Sequence, residues 1–472
     1  MTTRRLFLSG LAGAPGILRA RAKRPPNILF FLTDDQRWDA AGFMGNQILR
    51  TPVADRLANS GVVFTNSFVT TSICMTSRAS IMTGLYARAH GVELFTTSLT
   101  AEQFRNSFPG MLRSAGYRTG YVGKWGIGAE KPEEKRFDYF QAFRGQGELL
   151  VKSGSRTISS ARLLAEQTRE FLRGCKKDQP FCMTVGYNSP HAQDNAPWQY
   201  LYEPAHAEWY KDAVIPVPET ANPAHWPKFP QSIQRSELRR RWAPRFATAE
   251  LFQDSIRAYF RLITEIDESM GEIMTELARL GLHEDTVVIF TSDNGYYFGE
   301  YGFADKWLMH EPSIRVPLFI ADLRAPHSAR RAPQMALNID IAPTILDLAG
   351  IPAPASMQGR SLVPLLRGDS PPWRRDWFYE HRYRHNGWIP ATEGVRTGRW
   401  KYTRYIDTDP VFEEMFDLER DKAEMRNLAG DPSQAAQLSR LRARWQTWVK
   451  NLESWRPDAA WREPPFDPQL ES

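Results

Sequence analysis

The sequence predicts an α/β fold in which a large, mostly parallel sheet is sandwiched by helices. Short apolar runs alternate with amphipathic helical segments along most of the 472 residues, the pattern of parallel strands joined by crossover helices. Three of these runs end in polar residues: "NILFFLTDD" (27–35), "PFCMTVGYNSPH" (180–191) and "DTVVIFTSDNG" (285–295). Such runs are typical of strands buried on both faces, and the site of such a sheet lies at the carboxyl ends of its strands.

The segments between these strands have the period and the stop signals of helices. "TPVADRLANSGVVF" (51–64) and "MLRSAGYRTGYVGKW" (111–125) each read as a helix, a glycine and a strand. "SARLLAEQTREFLRG" (160–174) is amphipathic, and residues 256–282 form the longest helical pattern. Further on, "PLFIADL" predicts another strand, and "ALNIDIAPTILDLAG" predicts a helix led by Asp340.

The composition changes near "RGDSPPWRRDWFYEH" (367–381). Beyond this point the segments are shorter, which predicts a smaller antiparallel sheet closed by the helix "AAQLSRLRARWQTWVKNL". We therefore expect three parts: an export signal over residues 1–22, a catalytic domain over 25–370 and a C-terminal α+β subdomain over 371–472.

The first residues indicate an export signal of the bacterial twin-arginine type, which predicts a periplasmic or secreted protein. A basic pair at Arg4 and Arg5 precedes a short, mostly apolar segment (6–18), and an A-x-A cleavage site ends at Ala22. The alternative interpretation is a basic amphipathic tail that arises by chance. Cleavage after Ala22 removes four arginines and no acid, so the formal net charge falls from +6 to +2.

The net charge and the hydropathy pattern argue against two features, nucleic-acid binding and a transmembrane segment. So small a net charge, without a dense lysine and arginine stripe interleaved with aromatic residues, argues against nucleic acid. After the N-terminus no run of about 20 apolar residues occurs, so no transmembrane segment is expected.

The three cysteines do not form a disulfide scaffold, because their number is odd. Cys175 and Cys182 could pair in an oxidising compartment. The favoured interpretation places Cys175 at the end of a helix and Cys182 in a buried strand. In either case Cys74 is unpaired, and an unpaired thiol in an exported protein needs a reason.

Two pairs of residues with oxygen-bearing side chains follow predicted strands, Asp34-Asp35 and Asp293-Asn294. Adjacent acids repel each other, so a positive group is expected nearby. Four oxygen-donating side chains from two strand ends suit a hard cation, Ca²⁺ or alternatively Mg²⁺. Each pair alone could instead form a turn or cap a helix, but two pairs that each follow an apolar strand favour a metal site.

Cys74 and Arg78 lie in "TSRASIMTGLYARAHG" and the residues before it, where Thr76 or Ser77 is a plausible N-cap. A thiol near a helix N-terminus is expected to have a lowered pKa. Arg78 follows one turn later and can return a positive charge to the same point. The alternative is a small buried thiol with a surface arginine.

Lys124, His191 and Lys306 are three further candidates from separate segments. Taken singly, each is more simply a solvated lysine or a structural histidine. Together, around a metal and a nucleophile, they would clamp a tetrahedral anion and its leaving oxygen.

With these residues, the chain resembles the type I sulfatases of the alkaline-phosphatase-like superfamily, in particular arylsulfatase-like bacterial exported members. The resemblance runs from Asn27 to Pro432, with the family's motifs in order. They are "NILFFLTDDQ", "CMTSRASIMTGLYARAHG", "GYRTGYVGKWGIG", "VVIFTSDNG", "DKWLMHEPSIRVPLFI" and "MFDLERDKAEMRNLAGDP".

The resemblance implies a modified nucleophile. In this family the motif cysteine is oxidised to formylglycine by a formylglycine-generating enzyme, and the hydrated aldehyde attacks sulfur. Cys74 would be the precursor, and Arg78 would orient the hydrate. Residue 74 would also bind the cation through the nucleophile oxygen.

The resemblance also implies roles for the other residues. Asp34, Asp35, Asp293 and Asn294 would bind Ca²⁺. Lys124 and Lys306 would contact the sulfate, and His191 would assist proton transfer near the leaving group.

The chain departs from the family in two places. Thr76 stands where the modification signal Cys-x-Pro-x-Arg usually has proline. Gly126 stands where the family's "GKWH" has a histidine that touches the sulfate ester, and His310 or His90 is a candidate to replace it.

The sequence therefore predicts a sulfatase acting on a sulfated carbohydrate or another sulfate ester. Aromatic residues in "HRYRHNGWIP" (381–390) form either one wall of its pocket or an ordinary loop. A second hypothesis is a phosphodiesterase or phosphonate monoester hydrolase on the same scaffold. A third is a sulfated-glycan-binding protein that has lost catalysis, suggested by Thr76 and Gly126.

Overall fold

A computed structural model describes residues 24–128, 134–325 and 329–471. The predicted export signal, residues 1–22, lies outside the described residues. In the part of the chain that the structure describes, no helix combines the length and apolar character needed to cross a lipid bilayer.

The described residues contain strands of two to ten residues. They are β1 (Asn27–Asp34), β2 (Val62–Phe68), β3 (Arg118–Lys124), β4 (Tyr139–Phe143), β5 (Leu150–Ser153), β6 (Arg156–Ser159), β7 (Phe181–Pro190), β8 (Thr286–Ser292), β9 (Tyr297–Phe298), β10 (Ala304–Asp305), β11 (Leu318–Asp322), β12 (Arg330–Leu337), β13 (Asp376–His381), β14 (Thr392–Thr397), β15 (Trp400–Tyr405) and β16 (Phe412–Asp417).

The α-helices range from single turns to the 31-residue α9. They are α1 (Pro52–Asn59), α2 (Cys74–Thr83), α3 (Ala87–His90), α4 (Ala101–Arg105), α5 (Phe108–Ser114), α6 (Ser160–Arg173), α7 (Gln231–Gln234), α8 (Glu237–Phe246), α9 (Ala249–Arg279), α10 (Glu311–Ile314), α11 (Ile341–Leu348), α12 (Val363–Arg367) and α13 (Ala435–Glu453).

The central sheet has eight strands in the order β12-β2-β11-β8-β1-β7-β3-β4. Every pairing in it is parallel except those of β11, which runs antiparallel to β2 and β8. The predicted mostly parallel sheet is thus confirmed. The two edge strands were not identified from the sequence: β12 begins with polar and half-buried residues, and β4 ("YFQAF") is a run of only five residues, too short to show a period.

Strand β1 shows why the sheet is covered on both faces. Ile28, Phe30 and Leu32 pack into a core that includes residues of α2, α5 and α11. Leu29 and Phe31 point the other way, into a core built with α1, α6 and α9. Each of these side chains is fully buried, and burying one stabilises the fold by roughly 1.5–3 kcal/mol.

The C-terminal residues form the smaller antiparallel sheet that the sequence predicts. Its strands follow the order β13-β14-β15-β16, and α13 packs against β14 and β15. The boundaries predicted for the three parts of the chain stay predictions.

A buried ion pair connects the sequence before β13 to the start of α11. Both Nη atoms of Arg374 donate to the Asp340 carboxylate, and Nη1 also donates to the Met335 carbonyl at 3.2 Å. The two side chains are 1% and 0% exposed. Removing one partner of such a pair leaves the other charge buried without compensation.

We expect Arg374→Met to lower the free energy of unfolding by about 3–5 kcal/mol, measured by urea denaturation. Arg375→Met is the matched control, because Arg375 pairs with Glu471 at a half-exposed position and should contribute less than about 1 kcal/mol. Equal urea midpoints for the two variants would contradict the structural role of the Arg374–Asp340 pair.

Candidate active site

The predicted site residues meet at one edge of the central sheet. Strands β8, β1, β7 and β3 are consecutive and parallel, so their carboxyl ends lie side by side. Asp34 and Lys124 end β1 and β3, His191 directly follows β7, and Asp293 directly follows β8. The structure therefore brings together residues that lie more than 250 positions apart in the chain.

Four buried oxygen-bearing side chains form an acidic cluster: Asp34, Asp35, Asp293 and Asn294, each 0% exposed. The Asp35 amide donates to Asp293 Oδ1 at 3.3 Å, and Asn294 Nδ2 donates to Asp35 Oδ1. Asp34 Oδ1 and Asn294 Oδ1 are buried without a hydrogen-bond partner. Buried oxygens without a partner are costly, so this donor set fits a divalent cation.

His191 lies against this cluster. One carboxylate oxygen from each of Asp34 and Asp35 and a ring nitrogen of His191 lie within 4.8 Å of one another. His191 Nδ1 is 2.6 Å from the Ala192 carbonyl, to which it donates, and Nε2 is 3.5 Å from Asp35 Oδ2. Burial, followed by the charge on Lys306, lowers the pKa of His191 to about 4.

The pKa values of two carboxyls in the cluster shift in opposite directions. Burial raises the pKa of Asp293, and the neighbouring Asp34 carboxylate raises it further. Burial also acts to raise the pKa of Asp34, but Lys124, His191 and Arg78 together hold it below its ordinary value. The neighbouring positive groups therefore favour the ionised form of Asp34.

Cys74 is the first residue of α2, and Ile73 occupies the N-cap position. The predicted N-caps, Thr76 and Ser77, are wrong, because both lie inside the helix; Thr76 Oγ1 donates instead to the Val92 carbonyl at 2.9 Å. The expected lowering of the thiol pKa is also wrong. Burial raises it, outweighing the opposite effect of Lys124.

Arg78 is buried beneath the cavity floor rather than at the surface. Its Nε donates to Asp293 Oδ2 at 2.7 Å, Nη1 to the Lys124 carbonyl at 2.6 Å and Nη2 to the Tyr187 carbonyl at 3.1 Å. One guanidinium thus joins the ends of β8, β3 and β7.

Lys124 and Lys306 approach the acids from different segments. Lys124 Nζ is 2.5 Å from both Asp34 Oδ2 and Gln146 Oε1, and Lys306 Nζ is 2.7 Å from the Asp35 carboxylate. Gln146 Nε2 also donates to Asp34 Oδ2 at 3.0 Å. Sequence reasoning missed Gln146, because a lone glutamine in a polar loop carries no signal of this position.

Lys306 is held by a strained segment. Asp305 and Trp307, on either side of it, have φ angles of +76° and +81°, which are rare for residues other than glycine. The Asp305 carboxylate accepts hydrogen bonds from Arg241 at 2.7 Å and Arg245 at 2.8 Å. These arginines of α8 also went unnoticed in the sequence, since their contacts are long-range.

A cavity of about 520 Å³ opens above the cluster. Four of the predicted site residues line it and are here called its floor: Cys74, Lys124, His191 and Lys306. Its walls include aromatic and apolar residues: Phe95, Trp307, Tyr383, His385 and Ile389. Of the two interpretations of residues 381–390, the pocket wall is therefore correct. A larger cavity, of about 880 Å³, contains none of the predicted site residues.

Gly126 also lines the cavity, and its conformation disfavours a side chain. Its φ is +74°, and a Cβ there would lie 3.0 Å from Arg78 Cδ. The proposed replacements for a histidine at this position are wrong. His90 contacts Ser80 and the Val92 amide, His310 contacts Tyr297, and neither lines the cavity.

A family model described as "Sulfatase" matches residues 26–351, and one described as "N-sulphoglucosamine sulphohydrolase, C-terminal" matches residues 299–451. An N-acetylglucosamine-6-O-sulfatase of Bacteroides thetaiotaomicron is 26% identical, over 95% of this chain and 90% of that protein.

Two solved structures share the fold. One, described as a complex with its substrate D-glucosamine-2-N,6-O-disulfate, has a TM-score of 0.80 and 24% identity and covers 92% of this chain and 99% of its own. The other is a phosphonate monoester hydrolase of Agrobacterium radiobacter, with a TM-score of 0.71, 22% identity, and coverage of 91% of this chain and 95% of its own.

We expect Asn294→Ala to weaken Ca²⁺ binding at least about tenfold in isothermal titration calorimetry, because it removes one of four oxygen donors. Asp254→Ala, an exposed acid paired only with Arg257, is the control and should bind Ca²⁺ as the unaltered protein does. Equal affinity in the two variants would exclude Asn294 as a ligand.

Proposed function

The chain belongs to the sulfatase family of sulfuric ester hydrolases, and from this premise we propose that it cleaves sulfate esters of carbohydrates at the Cys74 cavity. The observation that carries the proposal is the position of Cys74, at the start of α2, in a cavity floor shared with Lys124, Lys306 and His191. The named substrates of the similar sulfatases are sulfated sugars, and aromatic walls suit the apolar faces of a sugar ring.

We propose that Cys74 is oxidised to formylglycine by a formylglycine-generating enzyme. When formed, this group supplies a hydrated aldehyde whose hydroxyl attacks sulfur and whose second hydroxyl allows sulfate to be released. The raised pKa of the Cys74 thiol supports this role, because a protonated, buried thiol is itself a poor nucleophile. Arg78, fixed on three strand ends, would orient the modified residue from below.

The two lysines would bind the sulfate oxygens. Their ammonium groups contact Asp34 and Asp35, so both already point to the edge of the sheet where the anion would lie. Fixed positive charge in a site shielded from water stabilises negative charge that develops during ester cleavage. His191 donates from Nδ1 to the Ala192 carbonyl, so its Nε2 carries the lone pair that would exchange a proton near the leaving group.

Asp34, Asp35, Asp293 and Asn294 would hold a divalent cation, which we propose to be Ca²⁺, together with the oxygen of modified residue 74. Such a cation supplies Lewis-acid charge next to the sulfate. The protein's own contribution is to hold the four oxygens in place, chiefly through Arg78 on Asp293.

The predicted export signal and domain boundaries belong to the same proposal. A twin-arginine signal over residues 1–22 would deliver the folded, modified enzyme to the periplasm or the medium, where sulfated polysaccharides are met. Residues 25–370 would carry the catalytic groups, and residues 371–472 would supply the wall that contains Tyr383.

A second candidate is phosphonate monoester hydrolysis, favoured by the structural similarity to the Agrobacterium radiobacter enzyme. Sulfate and phosphonate esters are both tetrahedral anions, so the same lysines could bind either. The ratio of kcat/KM for 4-nitrophenyl sulfate to that for 4-nitrophenyl phenylphosphonate decides between the two. A clear preference for the phosphonate would overturn the sulfatase assignment of this site.

The modification gives the first test. In protein from the native host, mass spectrometry of the peptide that contains residue 74 should show an aldehyde in place of the thiol. Cys175 and Cys182, free in the structure, are internal controls and should keep their thiols. Cys74→Ala should abolish turnover. An unmodified Cys74 in fully active enzyme would refute the proposed nucleophile.

The lysines give the second test. Lys124→Ala and Lys306→Ala should each lower kcat/KM on 4-nitrophenyl sulfate roughly 10²- to 10³-fold, because each removes a charged donor aimed at the sulfate. Lys152→Ala, at an exposed hairpin position, is the matched control. A lysine whose removal has no more effect than Lys152→Ala does not contact the substrate.

A further inference from the structure

We propose that His385 is a substrate-contacting residue of this site, which donates a hydrogen bond from Nε2 to the sulfate ester. The inference rests on the proposed function, because it assigns a ligand contact within the same cavity. His385 comes from the loop between β13 and β14, far in sequence from the strand ends that form the floor.

The first support is the ring's place and its hydrogen bonding. His385 lines the cavity that contains Cys74, Lys124 and Lys306. Its Nδ1 is 3.1 Å from the Tyr383 hydroxyl, whereas Nε2 makes no hydrogen bond with any described residue. In the tautomer that this inference requires, the Tyr383 hydroxyl donates to Nδ1 and the imidazole proton lies on Nε2, the atom left for a ligand.

Tyr383 is itself fixed. Its ring packs edge-on against Phe95, another residue of the cavity wall, with centroids 5.1 Å apart. The ring whose hydroxyl contacts His385 is therefore held by an aromatic contact within the cavity wall. Preorganised donors of this kind lose little entropy when they bind an anion.

The second support is the distribution of histidines. Among the described histidines, only His191 and His385 line this cavity. His191 faces the acidic cluster, with Nε2 at 3.5 Å from Asp35 Oδ2. Gly126 offers no side chain at its part of the wall. His385 is thus the second imidazole of the cavity, and unlike His191 it is not held against the acids.

The third support is the backbone of the loop. His385 and Asn386 have φ angles of +42° and +55°, in the left-handed region that few residues other than glycine, asparagine, aspartate and histidine adopt. Arg384 anchors the loop through hydrogen bonds of 2.9–3.0 Å to the Asp407 carboxylate, and the Ile389 amide donates to the Arg384 carbonyl at 3.0 Å. Strain of this kind persists where surrounding contacts fix it, and it is concentrated at functional sites.

Kinetics on N-acetylglucosamine 6-sulfate test the contact. His385→Ala should lower kcat/KM roughly 10- to 100-fold, the effect of losing one hydrogen bond to a charged group. His385→Gln, which retains a side-chain N–H donor, should recover part of this loss. Tyr383→Phe should reduce kcat/KM by less than His385→Ala, because the imidazole remains but its tautomer is no longer fixed.

His283→Ala is the matched control, since His283 is about half exposed and lies outside the cavity. Melting temperatures of all variants separate the contact from a structural role, which would lower stability and would not be rescued by glutamine. A kcat/KM for His385→Ala equal to that of His283→Ala would overturn the inference.

A binding measurement separates this inference from the proposed function. In the Cys74→Ala background, calorimetry with N-acetylglucosamine 6-sulfate should show affinity at least about tenfold weaker when His385 is also alanine. If the unaltered enzyme cleaves no sulfate ester, the proposed function fails, and the binding difference still decides the role of His385. Equal affinity of the Cys74→Ala variant and the Cys74→Ala, His385→Ala double variant, or no binding by either, overturns the contact.

Discussion

The buried contact between Arg78 and Asp293 is the interaction on which the site depends. Both side chains are completely buried. The guanidinium also donates to the carbonyls of Lys124 and Tyr187, and so connects β3 and β7. A charge buried this deeply is tolerable only with a partner. The same ion pair therefore stabilises the sheet edge and fixes one carboxylate of the acidic cluster.

This arrangement makes the cavity floor a set of paired charges rather than a simple positive patch. The ammonium groups of Lys124 and Lys306 each already contact one carboxylate of the cluster, Asp34 or Asp35. An anion that enters the cavity must compete with these acids for the lysines. A sulfate ester is permanently ionised, and an anion of this kind can compete with the acids for the lysines.

Much of the fold could be predicted because its determinants are local. The apolar runs of β1, β7 and β8 end in polar residues, and parallel strands bring such ends to one edge, so the proximity of Asp34, His191 and Asp293 followed from pattern and topology. The edge strands were missed, because β12 begins with polar residues and β4 is a run of only five residues.

The details of the site depended on contacts that a single sequence does not reveal. The thiol pKa of Cys74 is set by burial, which outweighs the helix N-terminus. The replacements suggested for Gly126 failed because His90 and His310 are committed to partners inside the protein. Gln146 and Arg245 reach the site across long sequence separations, and no motif marks them.

The two kinds of surface around the cavity belong to different parts of the architecture. The floor residues belong to four separate elements or their ends, because Cys74 begins α2, Lys124 ends β3, His191 follows β7 and Lys306 follows β10. The wall formed by Tyr383, His385 and Ile389 lies on a loop of the small sheet, anchored by Arg384 and Asp407. Under the proposed function, the loop could therefore be rebuilt for a different sugar while the floor residues keep their positions.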